Sequence, residues 1–318
     1  AGVLQLPLNN TGVVALDYRG KKGYATAIGH APAAGIVDPS AGSVLAITES
    51  LTNLVWAPMP DRLQSVSLSA NWMWPCRNKG EDARLYRAAK AASDFAVELG
   101  INIPTGKDSL SMTQKYEDEV VYAPGTVIIS AAGEVTDVRK IVQPVIKNDP
   151  GSRLIYIDLA NCDFALGGSS FGQTLNHLYN EAPTVTDASY FRKAFNLVQA
   201  LIEEEKVLAG HDVSAGGLIT TLLEMTFSNE EGGIEADITG MPGETLQVLF
   251  SEKPGLVIQV ADAPEIVAIL EKEGITHHII GRPIPEREIA LTVHERNWKL
   301  DIDPLRDLWF RTSYLLDR

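Results

Sequence analysis

The sequence has little cysteine and no long apolar run. Only two of its 318 residues are cysteine, Cys76 and Cys162, and they form no CxxC pair. This usage excludes a disulfide framework and fits a reducing compartment, so we predict a cytoplasmic location. No apolar stretch approaches the roughly 18 residues that a membrane span needs, and we expect no signal peptide. We therefore predict a globular protein without a membrane partner.

Positive charge is also scarce. The chain has 27 Lys and Arg residues against 41 Asp and Glu residues, which gives a formal net charge of −14. A protein that binds nucleic acid usually clusters basic residues on one face, and the short basic stretch 19–22 reads as a solvated turn. We predict no nucleic-acid partner. A nucleotide can still bind, because Mg²⁺ bridges carboxylates to phosphate oxygens.

Apolar periodicity predicts two α+β domains, each a sheet with helices on one face. The first is predicted to span residues 1–147 and the second residues 148–295, with a turn-rich boundary between them. Asp38 is a predicted N-cap, and a second helix is predicted to begin after Gly80 and to end at Gly100. The other predicted elements are strands at 63–70, 126–135, 154–159 and 256–260, a polar loop at 105–109 and a helix at 188–206.

Glu49 and Asn53 lie four residues apart on the first predicted helix, so both side chains project from one face. Two oxygen ligands on one helix face suit Mg²⁺, which prefers carboxylate and carbonyl oxygens. Two solvated polar residues would give the same spacing. The spacing alone favours that simpler interpretation.

The segment 211–217, His-Asp-Val-Ser-Ala-Gly-Gly, carries a stronger signal. Ser214 is placed as an N-cap, and Gly216 and Gly217 would let a ligand approach free backbone N–H groups at a helix start. Asp212 could hold the metal that accompanies a phosphate. An ordinary capped helix with a glycine-softened turn is the alternative, and the sequence supports the two interpretations equally.

Two further loops resemble phosphate-binding motifs without matching them. The glycine-rich stretch 167–172 follows a predicted strand but does not fit GxGxxG. Lys107 follows Gly106, yet the earlier glycine of a Walker A loop is absent and Asp108 replaces its Ser or Thr. Lys107 stays a candidate phosphate contact, against the alternative of an ordinary surface lysine.

Four stretches together resemble one family, the formylglycinamide ribonucleotide amidotransferases of the large single-chain type. They occur in order at compatible spacings: Glu49-Ser-Leu-Thr-Asn53, Ser69-Ala-Asn-Trp-Met73, the segment from Pro104 to Met112, and the segment from His211 to Gly217. The resemblance covers nearly the whole chain. It identifies the chain as the second half of the synthetase portion, within the aminoimidazole ribonucleotide synthetase superfamily.

The resemblance implies a fold and a reaction. An amino-terminal domain would contribute a four-stranded half-barrel sheet, followed by an α/β sandwich domain, and residues 296–318 would be a linker towards a missing glutaminase domain. The full enzyme would use ATP and glutamine to convert formylglycinamide ribonucleotide to formylglycinamidine ribonucleotide in purine biosynthesis. The partners would be the first synthetase half and the glutaminase domain.

The resemblance also implies site residues. The second half would hold an auxiliary nucleotide, ATP or ADP, with Mg²⁺. Matched by motif, the metal ligands are Glu49, Asn53, Asp212 and, in place of a family aspartate, Asn10. Nucleotide contacts would come from Ser214, with Gly216, Gly217, Asn9 and Lys107 as further candidates. No catalytic residue is assigned to this half.

Two classes of function stay open for this chain: a part of the amidotransferase active site, or a non-catalytic scaffold that a nucleotide stabilises. Another superfamily enzyme, such as selenophosphate synthetase or thiamine-phosphate kinase, is a weaker option because its glycine-rich amino-terminal signature is missing. We expect the isolated chain to be inactive. We also expect a homodimer, because the half-barrel would otherwise leave strands unpaired.

Overall fold

The computed structural model describes residues 4–316. The strands and helices before residue 147 form the first domain: β1 (Thr11–Ala15), β2 (Gly23–His30), α1 (Pro32–Val37), α2 (Pro39–Leu54), β3 (Ser67–Met73), α3 (Glu81–Leu99), β4 (Asn102–Ser109), β5 (Thr113–Lys115), β6 (Val120–Tyr122) and β7 (Thr126–Val135). Five of the strands make one sheet in the order β1-β2-β7-β3-β4, and β5 and β6 pair as a separate hairpin.

The predicted fold class is confirmed, with one more strand in the sheet than the four expected. β1 pairs antiparallel with β2 along its whole length, from Thr11 opposite Ala27 to Ala15 opposite Gly23. It thereby extends the sheet beyond β2. β2 alternates buried and exposed residues, so one face of the sheet packs against helices and the other lies open.

Helix α2 begins where the sequence predicts. The Asp38 side chain accepts hydrogen bonds from the backbone N–H groups of Ser40 and Ala41, and Pro39 occupies the first helical turn. The helix lies directly on β2, because a Cβ at Gly29 would clash with the backbone of Ala46 and Ser50. This close approach sets the position of Glu49 and Asn53 over the sheet.

Helix α3 is also confirmed, from Glu81 to the left-handed Gly100 (φ 72°). Two predictions for the neighbouring strands were wrong. The 105–109 segment is not a loop but part of β4, which pairs parallel with β3 despite its proline and glycine. β3 begins only at Ser67, because Arg62–Ser65 form a 3-10 turn that Val66 connects to the strand.

The second domain contains β8 (Arg153–Asp158), α4 (Ser170–Thr174), α5 (Ala188–Glu203), β9 (Ala209–Asp212), α6 (Gly217–Phe227), β10 (Gly233–Asp237), α7 (Thr245–Phe250), β11 (Gly255–Val260), α8 (Ala263–Lys272), β12 (His277–Ile284), β13 (Glu288–Val293), β14 (Arg296–Asp301) and α9 (Ile302–Leu316). The strands form one sheet in the order β14-β13-β10-β12-β8-β11-β9. The predicted strands at 154–159 and 256–260 and the predicted helix at 188–206 match β8, β11 and α5 within a few residues.

The final segment through residue 316 is folded onto the second domain. β14 pairs antiparallel with β13 from Arg296 to Asp301. In α9, Ile302 is buried and the Trp309 ring lies 5.4 Å from that of Phe227. A role of residues 296–318 as a linker to a glutaminase domain stays a prediction, and residues 317 and 318 lie outside the described part.

One hydrophobic core runs through both domains. It joins side chains of α2, α3 and the first sheet to β8, α5, β11 and α8. Phe95 on α3 meets Phe191 on α5 edge to face at 6.1 Å. The fully buried Gln199 on α5 accepts from the Met59 N–H and donates to the Ala57 carbonyl, at 2.9 Å each. A second core lies on the other face of the second sheet. Among the described helices, none is long and apolar enough to cross a membrane.

Candidate functional site

The structure brings the two predicted ligand segments together. Glu49 projects from α2 of the first domain, while Asp212 ends β9 and Ser214 follows it in the second. The polar side chains of Asn53 and Ser214 lie near the Glu49 carboxylate and act to lower its pKa. Burial, followed by the negative charges of Asp212 and Glu252, raises the pKa of Glu49 to about 8. Two carboxylates of the second domain, Asp212 and Glu252, therefore act on Glu49 of the first domain.

Asn53 has a buried oxygen without a partner. Its side chain is only 5% exposed, and its Nδ2 donates to the Ile28 carbonyl at 2.8 Å. Within residues 4–316, Oδ1 of Asn53 has no hydrogen-bond partner. An orphaned buried acceptor costs free energy unless a ligand satisfies it. Next to Glu49, this oxygen suits a cation.

Asn10 meets Asp212 as a hydrogen-bond donor. Its Nδ2 lies 3.2 and 3.1 Å from the two carboxylate oxygens of Asp212. An amide nitrogen does not ligate a metal, so in this arrangement Asn10 orients Asp212. Asn9, the other predicted residue beside it, is exposed and lines a cavity of about 270 Å³ together with Arg139 and Asp212.

His211 completes a buried chain of polar contacts behind Asp212. Its Nδ1 lies 3.2 Å from Oδ1 of Asp212, and its Nε2 lies 2.8 Å from Oε2 of Glu224. Burial opposes the charged imidazolium, but Asp212 and Glu224 outweigh it and raise the pKa of His211 to about 10. Burial likewise opposes the charged form of Asp212, yet the His211 cation lowers the pKa of that carboxyl. Trp309 of α9 donates to Glu224 at 2.8 Å.

Two cavities meet at Glu49 and His30. One, of about 380 Å³, lies between α2 and the second domain and is lined by Ser214, Glu252 and the glycine loop 167–170. The other, of about 440 Å³, lies over the open face of the sheet and is lined by Asn10, Thr26 and Asn53. None of the described residues that line these two cavities is Lys or Arg. An anionic ligand would therefore need a cation to accompany it.

The structure corrects the roles expected for the start of α6. Its N-cap is Gly216 (φ 89°) rather than Ser214. The Gly216 N–H donates to Glu252 at 2.9 Å and the Gly217 N–H to the Ser214 carbonyl at 3.0 Å, so neither is free for an anion. The two glycines serve the backbone instead, since both have positive φ and a Cβ on Gly217 would clash with the end of α7. Ser214 itself does line the larger interdomain cavity.

Lys107 is not brought to this site. It is exposed on β4, at the opposite edge of the sheet from Asn10, and its ammonium donates to Oγ of Ser109 at 2.7 Å. The parallel pairing of β4 with β3 carries it away from α2. A phosphate contact shared with Glu49 is therefore excluded in this arrangement.

Sequence reasoning missed Glu252 and set aside the loop 167–170. Glu252 accepts hydrogen bonds from the N–H groups of Ser170 at 2.7 Å and Gly216 at 2.9 Å, and so joins both glycine turns. The glycine run after a strand was the available signal for the loop. Because the loop does not fit the dinucleotide-binding pattern GxGxxG, it was not predicted to line a ligand cavity. For Glu252, an acidic residue between an apolar helix and a proline is too common to single out.

The protein side chains at this site would fill only part of the coordination shell of a metal ion. Among residues 4–316, no three His, Cys, Asp or Glu side chains meet closely enough to hold an ion by themselves. Glu49, Asp212 and the Asn53 oxygen would leave positions for water and phosphate oxygens. Mg²⁺ has this preference, because it keeps several waters and binds through few carboxylates. The residues present therefore fit the ion.

Comparison with known proteins agrees with this architecture. Residues 1–134 match the FGAR-AT PurM_N-like domain, and residues 149–294 match the C-terminal domain of AIR synthase related proteins. Two T. maritima PurL structures, complexed with FGAR and with ATP, have TM-scores of 0.72 and 0.69 at 17% identity. They cover 94% and 93% of this chain, and the chain covers 48% and 46% of them. The fold is thus that of the AIR synthase related class.

Within that class, the chain belongs to the phosphoribosylformylglycinamidine synthase family. It is 39% identical to the probable chloroplastic/mitochondrial phosphoribosylformylglycinamidine synthase of Arabidopsis thaliana over 326 aligned positions, which cover 100% of this chain. The chain spans only 23% of the length of that relative. It therefore corresponds to one part of a larger synthase.

Proposed function

We propose that this chain is the half of a phosphoribosylformylglycinamidine synthase that binds ATP or ADP with Mg²⁺ between its two domains. The main support is the meeting of Glu49 with Asp212 and Ser214, beside the partnerless oxygen of Asn53. These groups come from α2, from the end of β9 and from the turn after it, so a bridging ligand would join the domains. The cavity between α2 and the second domain is about 380 Å³ in volume and has the size of a small-molecule site.

Glu49, Asp212 and Oδ1 of Asn53 would hold the ion, and Asn10 and His211 would orient Asp212. The ion would supply the positive charge that the cavity walls lack. Ser214 would contact the nucleotide from the second domain. A bound cation would also favour the ionised form of Glu49, whose pKa is raised by burial and then by the neighbouring carboxylates.

For the whole protein, we propose the ATP- and glutamine-dependent conversion of formylglycinamide ribonucleotide to formylglycinamidine ribonucleotide, a ligase reaction. The first synthetase half and a glutaminase domain would be its partners. The cytoplasm stays our prediction for the location. No basic cluster lines the candidate site among the described residues, in keeping with a small-molecule partner rather than a nucleic acid.

Nucleotide binding is tested with the Asp212→Asn variant. We expect isothermal calorimetry to give at least tenfold weaker binding of ADP in Mg²⁺ than for the wild type, because the change removes a ligand charge and keeps the shape. Asp118→Asn, at an exposed loop position, removes the same charge away from the site and should bind as the wild type does. Equal affinity of the two variants would refute the assignment of Asp212.

The isolated chain should have no synthase activity, because the first half and an ammonia source belong to other parts of the larger protein. The assay is turnover with ATP, ammonia and formylglycinamide ribonucleotide. Appreciable turnover would contradict this expectation and would favour a complete active site within the chain. Binding of Mg²⁺ and ADP without turnover would favour the nucleotide-stabilised scaffold.

A further inference from the structure

The Glu252 carboxylate lies between the glycine loop 167–170 and the turn that precedes α6, where a phosphate could otherwise bind the same N–H groups. One of its oxygens, Oε1, accepts from the N–H groups of both Ser170 and Gly216. These donors lie at the starts of α4 and α6, where backbone N–H groups attract anions. The carboxylate thus satisfies donors that could otherwise bind a free phosphate. It also leaves a negative charge on the wall of the cavity between α2 and the second domain.

The residues on either side fix this carboxylate in place. Ser251 is buried, and its hydroxyl donates to the Ala165 carbonyl at 2.6 Å. Lys253 is buried as well, and its ammonium pairs with Asp158 at 2.7 Å and lies 4.4 Å from the centre of the Phe164 ring. With both neighbours anchored, the backbone at Glu252 cannot move away without breaking buried polar contacts. The carboxylate is therefore held at one position on the wall.

We propose that Glu252 is a specificity-determining residue that makes the site prefer the metal complex of a nucleoside diphosphate over the free nucleotide. This rests on the proposed nucleotide function. Free ADP is more negative than its Mg²⁺ complex by the charge of the ion, so a fixed carboxylate repels it more strongly. The site would thus discriminate the Mg²⁺ complex from free ADP through repulsion by Glu252 as well as through the metal ligands. In this scheme Oε1 of Glu252 is engaged by the two N–H groups, and the residue acts through its charge.

The test compares ADP affinity in Mg²⁺ with ADP affinity in a chelator, by calorimetry on the whole chain. Glu252→Gln keeps an oxygen for the two N–H groups and removes the charge. We expect its affinity for metal-free ADP to rise about tenfold while its affinity for the Mg²⁺ complex changes less than threefold. Glu252→Asp keeps the charge and should discriminate as the wild type does. Glu271→Gln, at an exposed position of α8, removes the same net charge and should change neither affinity.

The outcomes separate the two proposals. If the wild type fails to bind ADP in Mg²⁺, the proposed nucleotide function is refuted. If the wild type binds but Glu252→Gln gains no affinity for metal-free ADP, or loses affinity for both forms, the specificity role is overturned and Glu252 only supports the loops.

A measurement on the wild type covers the case in which Glu252→Gln does not fold. Added KCl screens the repulsion between the cavity wall and metal-free ADP, so the affinity for metal-free ADP should rise with salt. A fall in that affinity with salt would overturn the proposal, because it would mean that net attraction governs the binding of the free nucleotide.

Discussion

Glu49 is placed where function and stability oppose each other. Its carboxyl faces Asp212 and Glu252, and its pKa is raised to about 8 from the ordinary 4.5. The folded protein therefore holds a proton that the unfolded chain releases, and stability falls as pH rises from about 4.5 to 8. Functional sites commonly retain such unfavourable groups because a ligand later compensates for them.

The Glu49→Gln variant should accordingly be more stable than the wild type at pH 8 without metal. The variant escapes the cost of ionising a crowded carboxyl, and we expect a gain on the order of 2 kcal/mol in the free energy of unfolding. The gain should vanish near pH 4, where Glu49 is protonated in both states. Urea unfolding in a chelator at the two pH values measures it. A variant less stable than the wild type at pH 8 would contradict the prediction.

At the scale of single residues, the sequence predicted which residues lie at the site better than which groups they contact. Glu49, Asn53, Asp212 and Ser214 were named from their motifs, and the fold does bring them together. Asn10 and the two glycines were named too, but their hydrogen bonds to Asp212, Glu252 and the Ser214 carbonyl depend on which groups the fold makes neighbours. Glu252 contacts residues 82 and 36 positions away, and no local pattern encodes such pairs.

At the scale of elements, local signals worked where one signal was strong. The Asp38 cap and the Gly100 terminus marked α2 and α3 correctly. β4 was missed because its polar, exposed residues and its proline and glycine read as a loop. Pairing with β3 holds this segment as a strand. A Cβ on Gly106 would clash with the Ala70 backbone, so the glycine permits that pairing. Lys107 was misplaced with it.

The approach of α2 to β2 gives a prediction at this scale. In Gly29→Ala, the new methyl group would clash with the backbone of Ala46 and Ser50, so the helix must move off the sheet. We expect a loss of about 2–3 kcal/mol in the free energy of unfolding and weaker binding of ADP in Mg²⁺, because Glu49 and Asn53 move with the helix. Urea unfolding and calorimetry measure the two effects.

Gly240→Ala is the matched control for this change. A Cβ there meets no atom within 4 Å, and its backbone φ is not positive. Its stability should stay within about 0.5 kcal/mol of the wild type. A similar loss in both variants would mean that the steric contact at Gly29 is not the cause.

At the scale of the whole molecule, the open face of the first sheet favours self-association. Tyr24 and Ile28 of β2 are 44% and 56% exposed, and Val14 of β1 is 65% exposed. We expect a homodimer that covers this face, since contiguous exposed apolar side chains often mark an interface. Light scattering across a dilution series should give twice the monomer mass at high concentration.

Tyr24→Asp should shift this equilibrium towards the monomer, because it places a charge in the covered face. Tyr86→Asp is the control, since Tyr86 is 69% exposed on α3, on the helical side of the sheet. A monomeric mass for the wild type at every concentration would rule out the dimer. An equal effect of both variants would place the contact elsewhere.

The core that crosses residue 147 has a consequence for how this chain can evolve. Its two regions match separate domain families, yet α2, α3 and α5 bury their apolar faces in one continuous interior. If the two domains were expressed as separate chains, each would expose apolar surface to water. Recombination should therefore exchange the two domains as a unit more readily than either domain alone. Substitutions at Phe95 and Phe191, whose rings are in contact, should be correlated among relatives.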